Sequence, residues 1–167
     1  MTKHRIKLFI MDVDGTLTDG KIYVGNSGEI FKAFSVKDGY GIKLLKKNSI
    51  IPAIITGRTS DIVETRAREL GINEIYQGIQ DKVTVFESLK QKYSLINEEV
   101  AFVGDDLNDL ELMKKVGLKL TVNNAAKELI EIVDYKSSLN GGDGAVRDII
   151  DKLTNGIIKE GERYLWK

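Results

Sequence analysis

Short apolar runs alternate with segments of helical periodicity along most of this chain. Several runs are almost continuous in hydrophobic residues, which is typical of strands buried on both faces of a parallel sheet. Between them, apolar residues recur every three or four positions, as in amphipathic helices. Repeated strand–helix units of this length predict an α/β fold with a doubly wound, Rossmann-like parallel sheet. The predicted strands lie at residues 6–11, 50–55, 75–76, 100–103 and 118–122.

One stretch departs from this alternation directly after the first predicted strand. Residues 21–24 and 29–34 are short strand-like runs, and the residues between them, GNSG, suit a hairpin loop. We therefore predict a β-hairpin flap within residues 19–36, standing over the carboxyl ends of the strands, where such sheets bind ligands. No linker or repeat is visible, so residues 1–167 are predicted to form a single domain. The tail at residues 156–167 is expected either to fray or to dock on a neighbouring subunit.

Composition narrows the chemistry open to such a domain. The 167 residues include 25 Lys and Arg against 25 Asp and Glu, so neither nucleic acid nor an anionic membrane is expected as the main partner. There is no cysteine and one histidine, His4, which argues against disulfides, zinc sites and histidine relays. The first apolar run is too short for a signal peptide or a membrane span. We predict a cytoplasmic protein whose chemistry rests on carboxylates, hydroxyls, Lys and Arg.

Two carboxylates, Asp12 and Asp14, follow the first predicted strand. Both can project into the crevice only where the backbone turns, and Gly15 permits such a turn. Paired acids at a buried sheet edge need a cation or a proton to compensate them, so a Mg²⁺ ion is expected. For this motif taken alone, an Asx-type turn with solvated acids is the alternative.

A second acidic cluster at residues 104–109 follows another buried run. Asp105 is expected at the end of that strand, and Asp109 one helical turn later. Acids at two strand ends can converge on one hard cation with oxygen ligands. For Asp106 and Asp109, capping of the next helix is the alternative.

Two further strand ends add groups suited to binding an anion. Thr56 offers a hydroxyl, Arg58 a cation, and Lys82 stands at the head of a predicted helix. A lysine there opposes the helix dipole, which a bound anion would explain; a solvated surface charge is the alternative. Acid pairs, a threonine and a lysine are the groups needed for phosphoryl transfer, in which a carboxylate attacks phosphorus.

In chain order the four motifs are residues 12–16, Thr56, Lys82 and residues 104–109. Motifs of these types in this order resemble those of the haloacid dehalogenase superfamily of phosphotransferases, and the resemblance covers essentially the whole chain. It implies that Asp12 is the nucleophile, which forms an aspartyl-phosphate, and that Asp14 is the general acid and base. It also implies that Thr56 and Lys82 bind the transferring phosphate.

The same resemblance implies the cofactor, one Mg²⁺ ion among oxygen ligands. The implied ligands are the Asp12 carboxylate, the Asp14 backbone carbonyl and Asp105. Two acids are expected to support these ligands without contacting the ion, Asp106 and Asp109.

Within the superfamily, the chain is most similar to phosphatases of eight-carbon sugar acid phosphates, which form homotetramers and lack a large cap domain. Phosphatases of nine-carbon sugar acid phosphates are the alternative. Ser35 stands where Asn is usual in these enzymes, and Lys43 where Arg is usual. The substrate-binding positions that the similarity implies are Asp14, a loop with Ser35, Val36, Lys37, Asp38 and Gly39, then Lys43, Arg58, Arg66 and Lys82.

Besides the phosphate-binding Lys82, the basic members of this set are expected on the crevice rim: Lys37, Lys43, Arg58 and Arg66. Such a local cationic excess suits a substrate with a carboxylate besides its phosphate. For Arg66, a salt bridge with Glu64 or Glu69 is the alternative. The apolar hairpin residues are expected to dock on another subunit: Ile22, Tyr23, Ile30 and Phe34.

Two classes without turnover compete with this interpretation. A phosphoacceptor receiver domain also combines acids, a threonine, a lysine and Mg²⁺ on a doubly wound sheet, but its acids precede its lysine. Here an acidic cluster follows Lys82. A noncatalytic regulatory or oligomerisation domain is the third class, and the four intact motifs give no sign of lost activity.

Overall fold

The computed structural model describes residues 5–159, 162 and 164. Within these residues the chain forms six parallel strands in one sheet and a separate two-stranded hairpin, which confirms the predicted α/β fold. In chain order the strands are β1 (Leu8–Met11), β2 (Tyr23–Gly25), β3 (Gly28–Phe31), β4 (Ile51–Ile55), β5 (Glu74–Tyr76), β6 (Val100–Gly104), β7 (Leu118–Thr121) and β8 (Tyr135–Lys136).

Helices connect the strands and cover both faces of the sheet. The strand order is β5-β4-β1-β6-β7-β8. The helices are α1 (Val36–Lys47), α2 (Asp61–Glu69), α3 (Lys82–Tyr93), α4 (Leu110–Met113), α5 (Lys127–Ile130) and α6 (Ala145–Thr154). None of these helices, which are those of the described residues, is long and apolar enough to cross a membrane.

The central strands are hydrophobic at every position because both of their faces are covered. Along β1, Phe9 and Met11 belong to a core shared with α1, α2 and α6, whereas Leu8 and Ile10 belong to a core shared with α3, α4 and α5. Successive side chains of a strand point to opposite faces, so a strand between two helix layers needs a continuous apolar run.

The segment at residues 35–39, predicted as a loop, is instead the start of helix α1. Ser35 is its N-cap, and the Ser35 hydroxyl accepts a hydrogen bond from the backbone N–H of Asp38 at 3.4 Å. Two glycines conceal this helix in the sequence, because glycine is a poor helix former. A Cβ on Gly39 would lie 2.5 Å from Arg66, and one on Gly41 would lie 3.1 Å from Arg147. Close packing against α2 and α6 therefore outweighs the low helix propensity.

The predicted hairpin is present as β2 and β3, which pair antiparallel. Its two aromatic rings, Tyr23 and Phe31, stack with centroids 4.2 Å apart. Of the residues expected to dock on another subunit, Ile22 and Ile30 are exposed. Phe34 is partly buried and packs against the core of the same chain, so less of its side chain is free for docking than expected.

The described residues of the C-terminal tail pack against the rest of the same chain, and the expectation that the tail frays or docks on a neighbour stays a prediction for the residues beyond them. Ile158 is buried in the core. The backbone N–H of Tyr164 donates to the Asp134 carbonyl at 2.8 Å, and its ring lies 6.4 Å from that of Tyr135. The sole tryptophan, Trp166, lies outside the described residues.

Candidate active site

The acidic and polar side chains singled out in the sequence meet at the carboxyl ends of adjacent strands. Asp12 directly follows β1, Thr56 follows β4 and Asp105 follows β6, and β1 lies between β4 and β6. Parallel strands bring their carboxyl ends to one edge of a sheet, where ligand crevices form. A crevice of about 380 Å³ lies there, and its lining includes Asp12, Asp14, Thr56, Arg58, Asp105 and Asn108.

Three carboxylates lie close together at this edge. Asp12, Asp105 and Asp109 each place an oxygen within 4.8 Å of the others. Burial, together with the charges of Asp12 and Asp109, raises the pKa of Asp105 to about 7. Burial and the charge of Asp109 likewise raise the pKa of Asp12. The raised pKa values show that the negative charges of these carboxylates are unfavourable so close together. A hard cation such as Mg²⁺, which prefers oxygen ligands, would compensate them.

The affinity for this cation is expected to depend on pH. Because the pKa of Asp105 is raised to about 7, its carboxyl binds a proton below that pH, and an incoming metal must displace it. We expect Mg²⁺ to bind at least about tenfold more tightly at about pH 7.5 than at about pH 5.5. Calorimetric titration of chelator-treated protein measures both affinities, and equal values would show that Asp105 is ionised throughout.

Lys82 is buried between two of these carboxylates. Its Nζ lies 3.0 Å from Asp12 and 2.6 Å from Asp109. Burial alone would lower the pKa of Lys82, but the charges of Asp12 and Asp109 raise it overall. The alternative of a solvated surface lysine is therefore wrong. Asp81 caps helix α3 by accepting hydrogen bonds from two backbone N–H groups, so the helix begins at Lys82 and places it beside Asp12.

Asp109 holds the backbone at Asp105 in place through hydrogen bonds. One of its oxygens accepts the hydrogen bond from Lys82, and the other accepts from the backbone N–H groups of Asp105 and Asp106 at 2.9 and 3.3 Å. These bonds leave Asp109 little capacity to bind an ion directly. Asp106 is exposed, and its carboxylate accepts from the N–H of Leu107 at 2.8 Å, so the capping alternative describes this residue.

The loop after β1 is shaped so that Asp105 can approach it closely. Gly15 has a φ of +87°, and a Cβ at this position would lie 2.0 Å from Asp105. Thr16 donates its hydroxyl hydrogen to the same carboxylate at 3.0 Å. A Cβ on Gly141 would lie 1.8 Å from the Gly15 carbonyl oxygen. Glycine is thus required on both sides of this loop.

Asp14 is held by a residue that the sequence analysis did not single out. Lys32, which directly follows β3, places its Nζ 2.5 Å from Asp14 Oδ1, and the Arg58 Nε lies 3.8 Å from Asp14 Oδ2. Lys32 also contacts Glu29 at 2.8 Å. The sequence feature that could have identified Lys32 is its position between Phe31 and Phe34 at the end of the hairpin. A side chain there can point from the hairpin into the crevice.

The predicted substrate-binding set is divided between two places. Asp14 and Arg58 line the crevice, and Lys82 contacts Asp12 there. The others do not line the crevice within this chain. Of the four basic residues expected on its rim, Arg58 is there and Lys37, Lys43 and Arg66 are not, so their contact with substrate stays a prediction. A second, small cavity is lined by Ser35, Asp38, Gly39 and Arg66, and three residues are exposed on α1, Val36, Lys37 and Lys43.

Helix packing explains this division. Asp38 Oδ1 accepts the backbone N–H of Arg147 at 2.8 Å, which fixes the first turn of α1 against the start of α6. Burial raises the pKa of Asp38 to about 6. Arg66 forms the alternative salt bridge with Glu69 at 2.8 Å, and its guanidinium packs against Gly39. The two helices therefore form a second polar group away from the crevice.

Comparison with known proteins agrees with this geometry. Residues 60–150 match the family model of haloacid dehalogenase-like hydrolases. The chain is 49% identical over 154 residues to the 3-deoxy-D-manno-octulosonate 8-phosphate phosphatase KdsC of Salmonella typhi, covering 92% of this chain and 82% of the relative.

Solved structures give the same result. A phosphatase of that name from Moraxella catarrhalis, crystallised with magnesium, phosphate and KDO, has a TM-score of 0.88 and 42% identity, covering 92% of this chain and 88% of that one. The cobalt-bound phosphatase of Haemophilus influenzae has a TM-score of 0.88 and 35% identity, covering 93% and 91%. The chain therefore belongs to the haloacid dehalogenase-like hydrolases, within the family of 3-deoxy-D-manno-octulosonate 8-phosphate phosphatases.

Proposed function

We propose that this chain is a Mg²⁺-dependent phosphatase that hydrolyses 3-deoxy-D-manno-octulosonate 8-phosphate through an aspartyl-phosphate intermediate. The observation that carries the proposal is the arrangement around Asp12. Its carboxylate follows β1, lies 3.0 Å from the Lys82 ammonium, and shares a carboxylate cluster with Asp105. A nucleophilic carboxylate needs this combination of cationic groups to approach an anionic phosphate.

The reaction proceeds in two displacements at phosphorus. An Asp12 oxygen forms a bond to phosphorus while the bond to the ester oxygen breaks, and Asp14 gives its proton to that oxygen. Water then attacks the phosphorus of the aspartyl-phosphate and gives a proton to Asp14. The Asp12 carboxylate is released together with inorganic phosphate. Thr56 and Lys82 bind the phosphate oxygens throughout.

The oxygen groups at two strand ends fit a magnesium ion. The carboxylates of Asp12 and Asp105 and the backbone carbonyl of Asp14 would hold it. When bound, the ion neutralises charge on the phosphate and the carboxylates. Asp109 supports Asp105 through the backbone hydrogen bond that it accepts.

The substrate follows from similarity to the named relatives and from the charges near the crevice. Arg58 is 52% exposed and stands beside Asp14, where its guanidinium can bind a carboxylate of the substrate. The cytoplasmic location inferred from the sequence remains a prediction. A nine-carbon sugar acid phosphate, which has the same two anionic groups, is the second candidate.

We further propose a homotetramer in which a neighbouring subunit completes each site. The crevice is open, and the second polar group around Arg66 does not line it. Exposed apolar side chains on the hairpin and on α1 offer a docking surface: Ile22, Val24, Ile30 and Val36. Docking of this surface would bring one subunit's α1 and α2 to the next subunit's crevice and exclude water from it.

The function is tested by phosphate release from three esters in the presence of Mg²⁺. We expect the eight-carbon sugar acid phosphate to have a kcat/KM at least about tenfold above those of the nine-carbon compound and p-nitrophenyl phosphate. Chelator should abolish all three activities. A preference for the nine-carbon ester would change the substrate, whereas a single phosphorylation without turnover would favour the receiver alternative.

Arg66→Ala tests both the substrate contact and the shared site. Loss of a guanidinium–carboxylate contact is expected to raise KM for the sugar acid phosphate about 10–100-fold and to leave p-nitrophenyl phosphate hydrolysis nearly unchanged. Arg58→Ala should show the same selectivity. Equal losses on both esters would assign these arginines to phosphate binding or to the fold.

Mixed oligomers then test whether the Arg66 of each site comes from a neighbouring subunit. Arg66→Ala subunits and inactive Asp12→Asn subunits are refolded together and assayed at low substrate concentration. If each site takes Asp12 from one subunit and Arg66 from its neighbour, about a quarter of the sites regain both residues. No gain over the separate variants, or an active monomer by light scattering, would contradict the shared site.

A further inference from the structure

Lys32 is an almost fully buried lysine on the hairpin. Its side chain is 1% exposed, and its ammonium contacts two carboxylates, Asp14 at 2.5 Å and Glu29 at 2.8 Å. A buried ammonium is costly unless charged partners surround it. The hairpin side chains nearby, such as Ile30 and Phe31, are exposed, so burial of Lys32 follows from its direction toward the crevice.

Glu29 links this lysine to the opposite side of the crevice. Its Oε2 accepts the hydroxyl hydrogen of Ser60 at 2.5 Å, and Ser60 is the residue just before helix α2. Its Oε1 lies 3.9 Å from the Arg58 guanidinium. Ser60, Glu29, Lys32 and Asp14 thus form a continuous polar chain. This chain ties the hairpin both to the loop after β4 and to the loop after β1.

This polar chain ends at Asp14, the side chain to which the proposed mechanism assigns the proton transfers. Lys32 donates a hydrogen bond to Asp14 Oδ1, and Asp14 lines the crevice with its side chain 20% exposed. With one oxygen held by Lys32, the carboxyl cannot rotate freely, and Oδ2, which lies 3.8 Å from the Arg58 Nε, is the oxygen that Lys32 leaves available for proton transfer. Displacement of a catalytic group by about 1 Å can lower a rate about 100-fold.

We propose that Lys32 is a positioning residue that orients the Asp14 carboxyl for proton transfer, and that Glu29 orients Lys32. The proposal rests on the proposed function, because it assigns Asp14 the proton transfers of a phosphatase. The hairpin is accordingly part of the proton-transfer apparatus as well as a cover. A purely structural ion pair is the competing explanation, and buried pairs of that kind stabilise folds weakly or not at all.

The two explanations differ in how the rate depends on the leaving group. A sugar alkoxide needs the Asp14 proton to leave, whereas p-nitrophenolate leaves without one. Lys32→Met and the milder Glu29→Gln and Lys32→Arg variants are compared with Lys21→Met, an exposed lysine of the same hairpin. Single-turnover rates of ester cleavage are measured for the sugar acid phosphate and for p-nitrophenyl phosphate, together with the Mg²⁺ concentration for half-maximal activity.

We expect Lys32→Met to slow sugar ester cleavage about 10–100-fold and p-nitrophenyl phosphate cleavage less than about threefold. The half-maximal Mg²⁺ concentration should stay within about twofold, because Asp14 would bind the ion through its backbone. Lys32→Arg should recover part of the rate, Glu29→Gln should show a smaller loss of the same selectivity, and Lys21→Met should resemble the wild type.

Equal losses on both esters, or a shifted Mg²⁺ requirement, would overturn the positioning role. If Lys32→Met does not fold, the same comparison in Glu29→Gln and Lys32→Arg decides, because absence of any leaving-group selectivity in both contradicts the proposal. A wild-type chain that hydrolyses neither ester would overturn the proposed function itself. An active wild type with unselective variants would overturn only the role of Lys32.

Discussion

Asp12→Asn is expected to lower kcat on the sugar acid phosphate by at least about 10⁴-fold. An amide does not attack phosphorus, so no aspartyl-phosphate can form, and an amide is also a poorer ligand for Mg²⁺. The effect should be equally large on p-nitrophenyl phosphate, because both esters need the same nucleophile. Phosphate release in saturating Mg²⁺ measures the loss.

Two comparison variants make this result specific. Asp61→Asn changes an exposed acid at the start of α2 and should leave the rate unchanged. Asp14→Asn should retain Mg²⁺ binding and still lose about 10²–10⁴-fold in rate. Given p-nitrophenyl phosphate, it should also accumulate the phosphorylated chain, which intact-mass measurement detects. Full activity of Asp12→Asn, or a phosphorylated Asp12→Asn chain, would remove Asp12 as the nucleophile.

Lys82→Met is expected to lower both the rate and the stability of the fold. The change leaves the buried carboxylates of Asp12 and Asp109 facing each other without the ammonium that now contacts both. Breaking a buried ion pair by removal of one partner costs about 3–5 kcal/mol in the free energy of unfolding. Loss of a cation on the transferring phosphate should lower kcat by about 10²–10³-fold.

Urea denaturation of the metal-free variant measures the stability, and phosphate release measures the rate. The control is Lys90→Met on the same helix, whose ammonium contacts Glu87 at 2.8 Å and Asn97 at 2.6 Å, away from the site. Loss of these partly exposed contacts is expected to cost about 1–2 kcal/mol in the free energy of unfolding and to leave the rate unchanged. Added Mg²⁺ should restore part of the stability of Lys82→Met, because it neutralises the same carboxylates. A variant as stable and as active as Lys90→Met would contradict the assignment.

The local sequence pattern was sufficient to predict most strands of the sheet and the residues at the centre of the site. Apolar runs predict β1 and β6 because strands covered on both faces cannot tolerate polar side chains. Residues that directly follow such runs lie at the carboxyl edge whatever the details of packing, which is why Asp12 and Asp105 could be placed together. Lys82 was recognisable because a lysine at a helix N-terminus is unfavourable unless an anion faces it.

The first turn of α1 shows where local pattern fails. Gly39 and Gly41 argue against a helix by propensity, yet a Cβ on Gly39 would meet the Arg66 guanidinium at 2.5 Å and one on Gly41 would lie tightly against Arg147. The advantage of glycine there comes from Arg66 and Arg147, which belong to other helices. Residues so distant in sequence carry no signal in the segment itself, which is why residues 35–39 are predicted as a loop from the sequence.

The sequence by itself determined that a parallel sheet would bring Asp12, Thr56 and Asp105 to one edge, because strand burial and the residues after each strand are local properties. Only the tertiary structure decided which charged side chains meet across the chain. The position of the hairpin brings Lys32 to Asp14, and the packing of α1 against α2 keeps Arg66 out of the crevice of the same chain. Those contacts depend on how whole elements lie against one another, and no periodicity along the chain encodes that.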